Sequence, residues 1–451
     1  MNKSFPPVHP IPNTARSANR WDMFATWIGA NANNGTWYIG GVIAAAGMYT
    51  ASTTLIIVGV LSYILLALTS IMGYNTGLPT MVLTRASFGI RGSALPSLIN
   101  IIQFVGWAAS NTFIAAISVS TIFQTIFGWP KFGQPGGQWG IIIGIGIMSI
   151  LHILSISLGE KSVRLIERIG IILVIILVAW ESMVIFKTIS LHALFSWQPP
   201  TNIKISSGAT VDILAAFNLA WVTAAADFSR FSKTKSGATT LSFFGASLGL
   251  FWFAFIGLAA TIATAVTLQH FDPNNSDPST IAIKLGLGIL ALLVIIITST
   301  TANAVNLMAA GTALTNLYHK INLKPALWIV TLLATVVSFI PLIAANFLTT
   351  FTAFLDFIGM MLGPEIAIFL IDYYLIQHNN YQIAEFSKIN GQYWYQNGIN
   401  WRAFAAWVVG LISYWGLGYI AFIKESIGAT FVAMLISAVL YYLLSMNQKS
   451  K

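Results

Sequence analysis

The chain has no cysteine among its 451 residues. That absence excludes disulfides, thiolate metal sites and cysteine nucleophiles, and it leaves the redox compartment open. Charge is scarce as well. Only 8 % of the residues are charged, against about 25 % in ordinary soluble domains. A surface so poor in charge would aggregate in water, so a soluble enzyme and a nucleic-acid binder are both excluded. No HExxH motif occurs, His152 is the only histidine well inside an apolar run, and no serine stands with a plausible base. An intramembrane enzyme therefore has no catalytic set. The opening stretch, MNKSFPPVHPIPNTARSANR, has prolines where a secretory leader needs an apolar core. Residues 1–20 are expected to remain as a cytoplasmic tail.

What is abundant is apolar length: 56 % of the residues are hydrophobic. A bilayer core of about 30 Å takes a helix of about 20 residues. Twelve runs qualify, at about 21–48, 52–72, 94–127, 139–158, 163–187, 211–231, 240–268, 279–318, 325–345, 347–376, 403–423 and 427–446. The fold class is an all-α integral membrane protein of about twelve transmembrane helices. The longest runs must tilt, kink or extend beyond the lipid.

An even count puts both termini on one side. With the N-terminus inside, 17 of the 22 Lys and Arg fall in inner segments, and only Lys131, Lys187, Lys204, Lys284 and Lys424 fall outside. The excess of Lys and Arg in inner loops sets orientation, so both termini are expected in the cytoplasm. Trp129, Trp139, Trp197, Trp394 and Trp401 lie near span ends, where aromatic belts form. The longest polar stretches, 188–210 and 377–400, are too short to hold a core of their own.

Polar groups are costly inside a bilayer, so their positions inform. They cluster in the first, third, sixth and eighth spans. The first reads WIGANANNGTWYIGG, with Asn31, Asn33, Asn34 and Gly35 at mid-span. Asn competes for backbone hydrogen bonds and Gly weakens helices. A break is expected there, with an Asn cluster gluing helices together as the plainer reading. In the sixth, Asn218, Trp221 and Thr223 are at mid-span, and Asp227 and Arg230 stand near the inner end as a local ion pair or cap. Trp221 fits packing as well as a site. In the third, Gln103, Trp107 and Asn111 are four apart and share a helical face. Such a stripe suits a planar ligand, although packing would also use it. The eighth carries Thr298, Ser299, Thr300, Thr301, Asn303 and Asn306. These oxygens suit a hard cation, or simply bond back to their own helix.

The clusters have a period. The first and sixth spans are both interrupted, the third and eighth both polar, and each pair is five apart. Five is odd, so two five-helix repeats of opposite membrane orientation fit. They would cover 21–190 and 207–377, with two further helices and a short tail in 402–451. Broken segments at matching places in two halves point to a transporter's midplane site.

At this point the chain resembles the nucleobase–cation symporter family, which includes cytosine and purine–cytosine permeases and hydantoin or allantoin transporters. The resemblance rests on GYNTGLPTMVLTRASFGIRGSALPSL, VGW, ADFSRF, TTANAVN, GPEIAIFLIDYYL and NGINWRAFAAW, in that order along the spans. It implies the inverted-repeat fold of leucine-type sodium symporters plus two helices. It implies that Trp107 stacks on a heteroaromatic base. Asn111 takes the place of a substrate glutamine, Asn34 that of a neighbouring substrate contact, and Asn306 or Asn303 that of a substrate asparagine. The carbonyls of Gly29, Asn33 and Ile297 and the hydroxyls of Thr300 and Thr301 would bind Na⁺. Two places depart from the family. Asn218 stands where a second stacking aromatic belongs, with Phe217 and Trp221 close by. Phe104 replaces a cytosine-permease glutamine, and Gln103 is one position off.

The expected function is import of a planar nitrogen heterocycle, cytosine or a purine first, coupled to Na⁺, by a protein of the cell membrane. No other cofactor, no nucleic acid and no enzyme activity are expected. The partners are the base and membrane lipid, and a monomer should suffice. Proton coupling is the nearer alternative, with Glu181, Asp356 and Glu365 as candidates by depth. An allantoin-, hydantoin- or hydroxymethylpyrimidine-like substrate is another, and a channel is the distant one.

Overall fold

The computed structural model describes residues 9–157, 160–318, 320–344 and 346–446, without the side chains of 160–171 and 275. Lys3, Lys449 and Lys451, which entered the charge count, lie outside the described residues, as do the side chains of Lys161, Arg164 and Arg168.

The first run is broken, as its composition predicts. Helix α1 spans Arg20–Asn31 and α2 spans Asn34–Ile43. Between them the backbone leaves helical geometry at Ala32 and turns extended at Asn33. The Asn33 side chain accepts from the Thr36 N–H at 3.0 Å and so caps the second piece. Asn at that position satisfies a donor which the helix start leaves free.

The chain continues through α3 (Met48–Thr76), α4 (Thr80–Phe88), α5 (Ala94–Phe127), α6 (Gln138–Ser157), α7 (Glu160–Thr188) and the short α8 (Leu191–Ser196). The sixth run also breaks, into α9 (Ser207–Val222) and α10 (Ala225–Ser229). A long α11 (Ser242–Leu268) follows. The expected single span at 279–318 is in fact two elements, α12 (Pro278–Lys284) and α13 (Gly288–Leu317). Gly286 and Gly288 have φ of +74° and +70°, a conformation glycine adopts without a Cβ penalty. Next come α14 (Leu323–Val337), α15 (Ile340–Ile343), α16 (Phe347–Ile371), α17 (Trp401–Leu417) and α18 (Thr430–Ser445).

Among the described residues, eight helices are long and apolar enough to cross a bilayer. The broken α1–α2 pair, α7, α17 and α18 bring the crossings to the twelve expected. Large aliphatic side chains face outward along them: Ile57, Ile150, Leu332 and Leu435 are 54 %, 60 %, 66 % and 64 % exposed. Buried Asn, Gln, Ser and Thr face inward. This arrangement suits lipid outside and a polar path within.

Helices α5 and α13 form the centre and pack along much of their length, and α2 lies against α11. The latter crossing is close. A Cβ on Gly40 would collide with the Ala254 carbonyl, and one on Gly257 with the Trp37 carbonyl. Small residues permit such approaches between membrane helices.

Two elements escape the sequence reading. Helix α4 is a buried nine-residue piece between the second and third runs. The polar stretch 377–400 does hold a small core: Tyr381, Phe386 and Tyr393 are buried against one another and Tyr373. It docks on the end of α4, where Arg85 donates to the Phe386 carbonyl and Asn400 to the Ser87 carbonyl at 2.6 Å. Trp394 is correspondingly no belt residue. It is 9 % exposed, with the Arg91 guanidinium 4.9 Å above its ring. Arg16, Arg85, Arg91 and this stretch mark a basic end of the molecule. Arg16 lies over Tyr74 at 4.9 Å, and backbone hydrogen bonds of Ala18 with Phe231 and Lys233 join the N-terminal segment to the end of the sixth span.

Candidate substrate and cation site

A closed cleft sits between α5, α9, α13 and the start of α2. It is lined by Asn33, Phe104, Trp107, Asn111, Phe217, Ala220, Trp221, Ala302 and Asn306. The space left for a water-sized sphere is about 20 Å³, enough for one water and far too little for a heterocycle. Aromatic rings seal both directions. Toward the end away from Arg85 and Arg91, Phe347 stacks on Phe113 at 4.8 Å and on Tyr38 at 5.3 Å. Toward the basic end, Trp221 meets Phe104 at 6.0 Å and Trp27 at 6.2 Å.

Trp107 and Asn111 are one turn apart on α5 and both face the cleft. Each keeps an unspent polar group: the Trp107 Nε1 donor and the Asn111 Oδ1 acceptor are buried without a hydrogen-bond partner. Buried polar groups in native folds are nearly always paired, so two orphans lining one cleft point to a ligand. Phe217 stands against the Trp107 ring at 5.2 Å, edge to face, and Phe354 approaches it at 5.1 Å.

The remaining expected residues separate into lining and support. Asn306 lines the cleft, and its amide donates to Asn303 Oδ1 at 3.3 Å. Asn303 stands behind, its amide spent on the Ala108 carbonyl, Thr112 Oγ1 and His152 Nε2. Of the two asparagines left open, Asn306 is therefore the one at the cleft. Asn34 does not line it. Its amide donates to the Ile295 carbonyl at 2.8 Å, Ser299 Oγ at 2.9 Å and Thr298 Oγ1 at 3.1 Å, and so ties α2 to α13. Gln103 is also turned away. Its amide donates to Asn100 Oδ1 and Thr223 Oγ1, both at 2.6 Å, which pins the break between α9 and α10. Asn218 is fully buried behind Phe217, and its Oδ1 accepts from Tyr63 Oη at 3.3 Å. At the missing second aromatic, Phe217 and Trp221 reach the cleft and Asn218 does not.

The expected cation ligands lie on α1, in the break that follows it and on α13. The break changes one carbonyl. In an unbroken helix the Asn33 N–H would donate to Gly29, but here it donates to the Asn31 carbonyl at 2.9 Å. The Gly29 carbonyl thus loses its helical donor. The Asn33 carbonyl keeps one, the Trp37 N–H at 3.2 Å. Thr300 and Thr301 are buried, and their hydroxyls donate back to the Ile296 and Thr298 carbonyls at 3.0 and 2.8 Å. A hydroxyl that gives its proton to its own helix retains lone pairs for a cation. Ile297 lies one turn before Thr301, its side chain 38 % exposed. Asp227 does not pair with Arg230 through its carboxylate. That group accepts from Thr80 Oγ1 at 3.3 Å, while Arg230 Nε donates to the Asp227 backbone carbonyl at 3.2 Å.

Sequence reasoning missed Phe104, Ala220 and Ala302 as lining, and Asn33 too, whose amide is spent on its own segment, donating to the Ala30 carbonyl at 2.6 Å and accepting from the Thr36 N–H. Phe104 had a signal, since it lies on α5 one turn before Trp107 and Ala108. The alanines had none.

Known proteins share this architecture. The family described as permease for cytosine/purines, uracil, thiamine, allantoin matches residues 10–444. A Bacillus subtilis (strain 168) protein named a purine-cytosine permease is 28 % identical over 89 % of this chain and 85 % of its own. The allantoin permease of the same organism is 27 % identical over 96 % and 91 %. Among solved structures, a nucleobase-cation-symport-1 family transporter in a closed conformation with bromovinylhydantoin bound superposes with a TM-score of 0.77, at 18 % identity, over 99 % of this chain and 95 % of that one. A Na⁺-coupled sialic acid symporter gives 0.53 at 12 % identity, over 94 % and 95 %. These likenesses show the leucine-transporter type of fold.

Proposed function

Since the chain belongs to the permease family for cytosine/purines, uracil, thiamine and allantoin, we propose that it imports a neutral planar base, cytosine or a purine first, in symport with Na⁺. That it is a multi-pass membrane transporter and not an enzyme follows from the family itself. The substrate and the ion are the proposal. The observation that carries it is the pair of unspent groups, Trp107 Nε1 and Asn111 Oδ1, on the wall of one closed cleft.

The base would enter between Trp107 and Phe217 when the cleft opens. The Trp107 ring offers a face, and Asn111 and Asn306 offer donors and acceptors to its edge. These groups match adjacent amino and ring-nitrogen functions. They give no counter-charge to a carboxylate. Na⁺ would bind where the freed Gly29 carbonyl and the Asn33 carbonyl face the Thr300 and Thr301 hydroxyls and the Ile297 carbonyl. Holding the break of the first span in this shape keeps Asn33 at the cleft, so ion and base each raise the other's affinity, and by the same factor. The basic end faces the cytoplasm in this reading, and a monomer carries the whole pathway. Rocking of one helix group against the other would then expose the cleft to each side in turn.

The test is a thermal-shift screen of the purified protein against free bases, nucleosides and amino acids, with NaCl or choline chloride. A ligand that binds only the folded state raises its melting temperature. Stabilisation by a free base that grows with NaCl is expected. Stabilisation by nucleosides or amino acids alone would refute the substrate class, and indifference to NaCl would refute the ion.

A further inference from the structure

One acidic side chain has no place in the cleft or the cation site. Glu365, on α16, is fully buried, and both carboxylate oxygens lack any hydrogen-bond partner. The other acidic groups at depth differ. Glu181 accepts from Trp37 Nε1 at 3.0 Å. Asp356 is exposed. Asp372 accepts from Tyr381 Oη and Tyr441 Oη at 2.8 and 2.7 Å.

An ionised carboxylate sealed among apolar groups, with no donor, is strongly disfavoured, and such a group takes a proton instead. The charged and titratable groups on the elements packed against α16 are all otherwise engaged or distant in sequence register. Asp212 of α9 is engaged by the Ala429 and Thr430 N–H groups and the Thr430 hydroxyl, all of which donate to it. Arg85 of α4 donates to the Phe386 carbonyl and Asn316 Oδ1. Tyr441 of α18 serves Asp372, while Tyr442 is 38 % exposed. Helix α17 brings Arg402, an exposed residue in its first turn, and Tyr414. Helix α5 carries no titratable side chain. On the continuation of α16 itself, Tyr373 Oη accepts from Asn75, and Tyr374 Oη donates to the Leu68 carbonyl. None of these hydrogen bonds involves Glu365.

Its position on the helix gives the proton a role. Residues 351, 358, 365 and 372 follow at seven-residue steps, and side chains two turns apart share a face. Phe351 and Phe354 use that face to contact Trp107, at 5.9 and 5.1 Å. Glu365 therefore lies on the cleft side of α16, eleven residues beyond Phe354. That is about 16 Å along the axis, toward the basic end.

We propose that Glu365 is a proton-binding site of the transport cycle, distinct from the base cleft and the Na⁺ site: its carboxyl O–H is intact in the sealed conformation and gives its proton to inner water when the path opens. The proton must be regained from the same inner water before the path seals again, because sealing an ionised Glu365 would leave it unpartnered. The site therefore carries no net proton across the membrane, and the sealing step requires inner protons. This rests on the import reading for its direction, though not for the site itself.

Two measurements on the full chain keep the readings apart. Infrared difference spectra of wild type minus Glu365→Gln in lipid bilayers at neutral pH should contain the carbonyl stretch of a protonated carboxylic acid. An ionised-carboxylate signal in its place overturns the proposal. Proteoliposomes with equal NaCl on both sides and a fixed external pH then report uptake of labelled cytosine, or of whichever base stabilises the protein, as the lumenal pH is varied. Wild-type uptake should slow as the lumen is made alkaline, because sealing then lacks its proton. Glu365→Gln, which stays neutral, should still take up base with that dependence lost. Glu365→Asp, which restores a carboxyl, should regain the dependence even if the Gln variant folds poorly. Wild-type uptake indifferent to lumenal pH overturns the proposal and leaves import standing. A protonated Glu365 band in a protein that moves no base upholds the site and overturns import.

Discussion

Trp107 is the residue on which the substrate reading can be weighed most directly. Its ring is 5 % exposed and is held by Phe217, Phe354 and Phe351 with centroids 5.2, 5.1 and 5.9 Å away. It lines the cleft with an unpaired Nε1. Truncation to alanine removes the face on which a base would lie. Base–aromatic stacking is worth ~1–3 kcal/mol, and 1.4 kcal/mol is about tenfold in affinity. The dissociation constant of Trp107→Ala should therefore rise about 5- to 150-fold. Every ring offers a face, so the loss should be shared by all accepted bases and leave their ranking intact. Truncating a buried tryptophan also costs about 3–5 kcal/mol of stability. Trp107→Phe, which retains a ring in the same aromatic cluster, separates the two effects: it should bind with intermediate affinity and melt closer to wild type. The assay is equilibrium binding of labelled base to purified protein at saturating NaCl, with unlabelled bases as competitors. Wild-type affinity in Trp107→Ala would refute the reasoning. So would loss of one base with retention of the others, because discrimination belongs to the polar edge contacts.

Asn34→Ala should lower stability by about 1–3 kcal/mol, from two lost amide N–H donors at ~0.5–1.5 each, while the ranking of bases stays fixed. Melting curves and competition binding check this, and a changed ranking would put Asn34 in the site after all. Thr300→Ala and Thr301→Ala should each raise the Na⁺ concentration needed for half-maximal uptake more than they weaken base binding at saturating Na⁺. A wild-type protein that takes up base regardless of NaCl would remove the cation assignment. Orientation can be read with single cysteines, since the chain has none of its own. An impermeant thiol reagent on intact cells should label Thr201→Cys and spare Ala384→Cys, both at exposed positions, and the reverse pattern would invert the topology. Ser276, in the loop after α11, is unsuited to this test because it is 1 % exposed and donates to the Pro273 carbonyl.

The crossings were legible because the bilayer imposes a length and a polarity that composition reports directly. The third run and α5 coincide at 94–127. The break in the first run was legible because three asparagines and a glycine compete with helical hydrogen bonding in one turn. What could not be read are features set by contacts distant in sequence. Helix α4 and the 377–400 stretch are each too short to look like structure. They stabilise each other through Arg85–Phe386, Asn400–Ser87 and Tyr395–Ala86 hydrogen bonds, all across some three hundred residues. The division of 279–318 hinged on Gly286 and Gly288, whose left-handed backbone is a property of the turn they make and not of their hydropathy.

The site shows the same division at the level of single side chains. Periodicity placed Gln103, Trp107 and Asn111 on one face of α5, and they do lie on one face. Yet that face is longer than the cleft, and Gln103, one turn toward the basic end, meets Asn100 and Thr223 instead. Asn34 and Asn303 differ from Asn306 in neither chemistry nor depth. They differ in what stands opposite: α13 offers Asn34 a carbonyl and two hydroxyls, and α5 and α6 offer Asn303 a carbonyl, a hydroxyl and an imidazole. An amide so surrounded has spent its donors on the fold. The groups left for a ligand are those the fold leaves unspent, and spending is decided between helices that the sequence lists hundreds of residues apart. Glu365 follows the same logic with the opposite outcome. Its depth was visible in the sequence, but only the packing of α16 reveals that nothing meets its carboxyl, and that lack of a partner is what makes it a place for a proton.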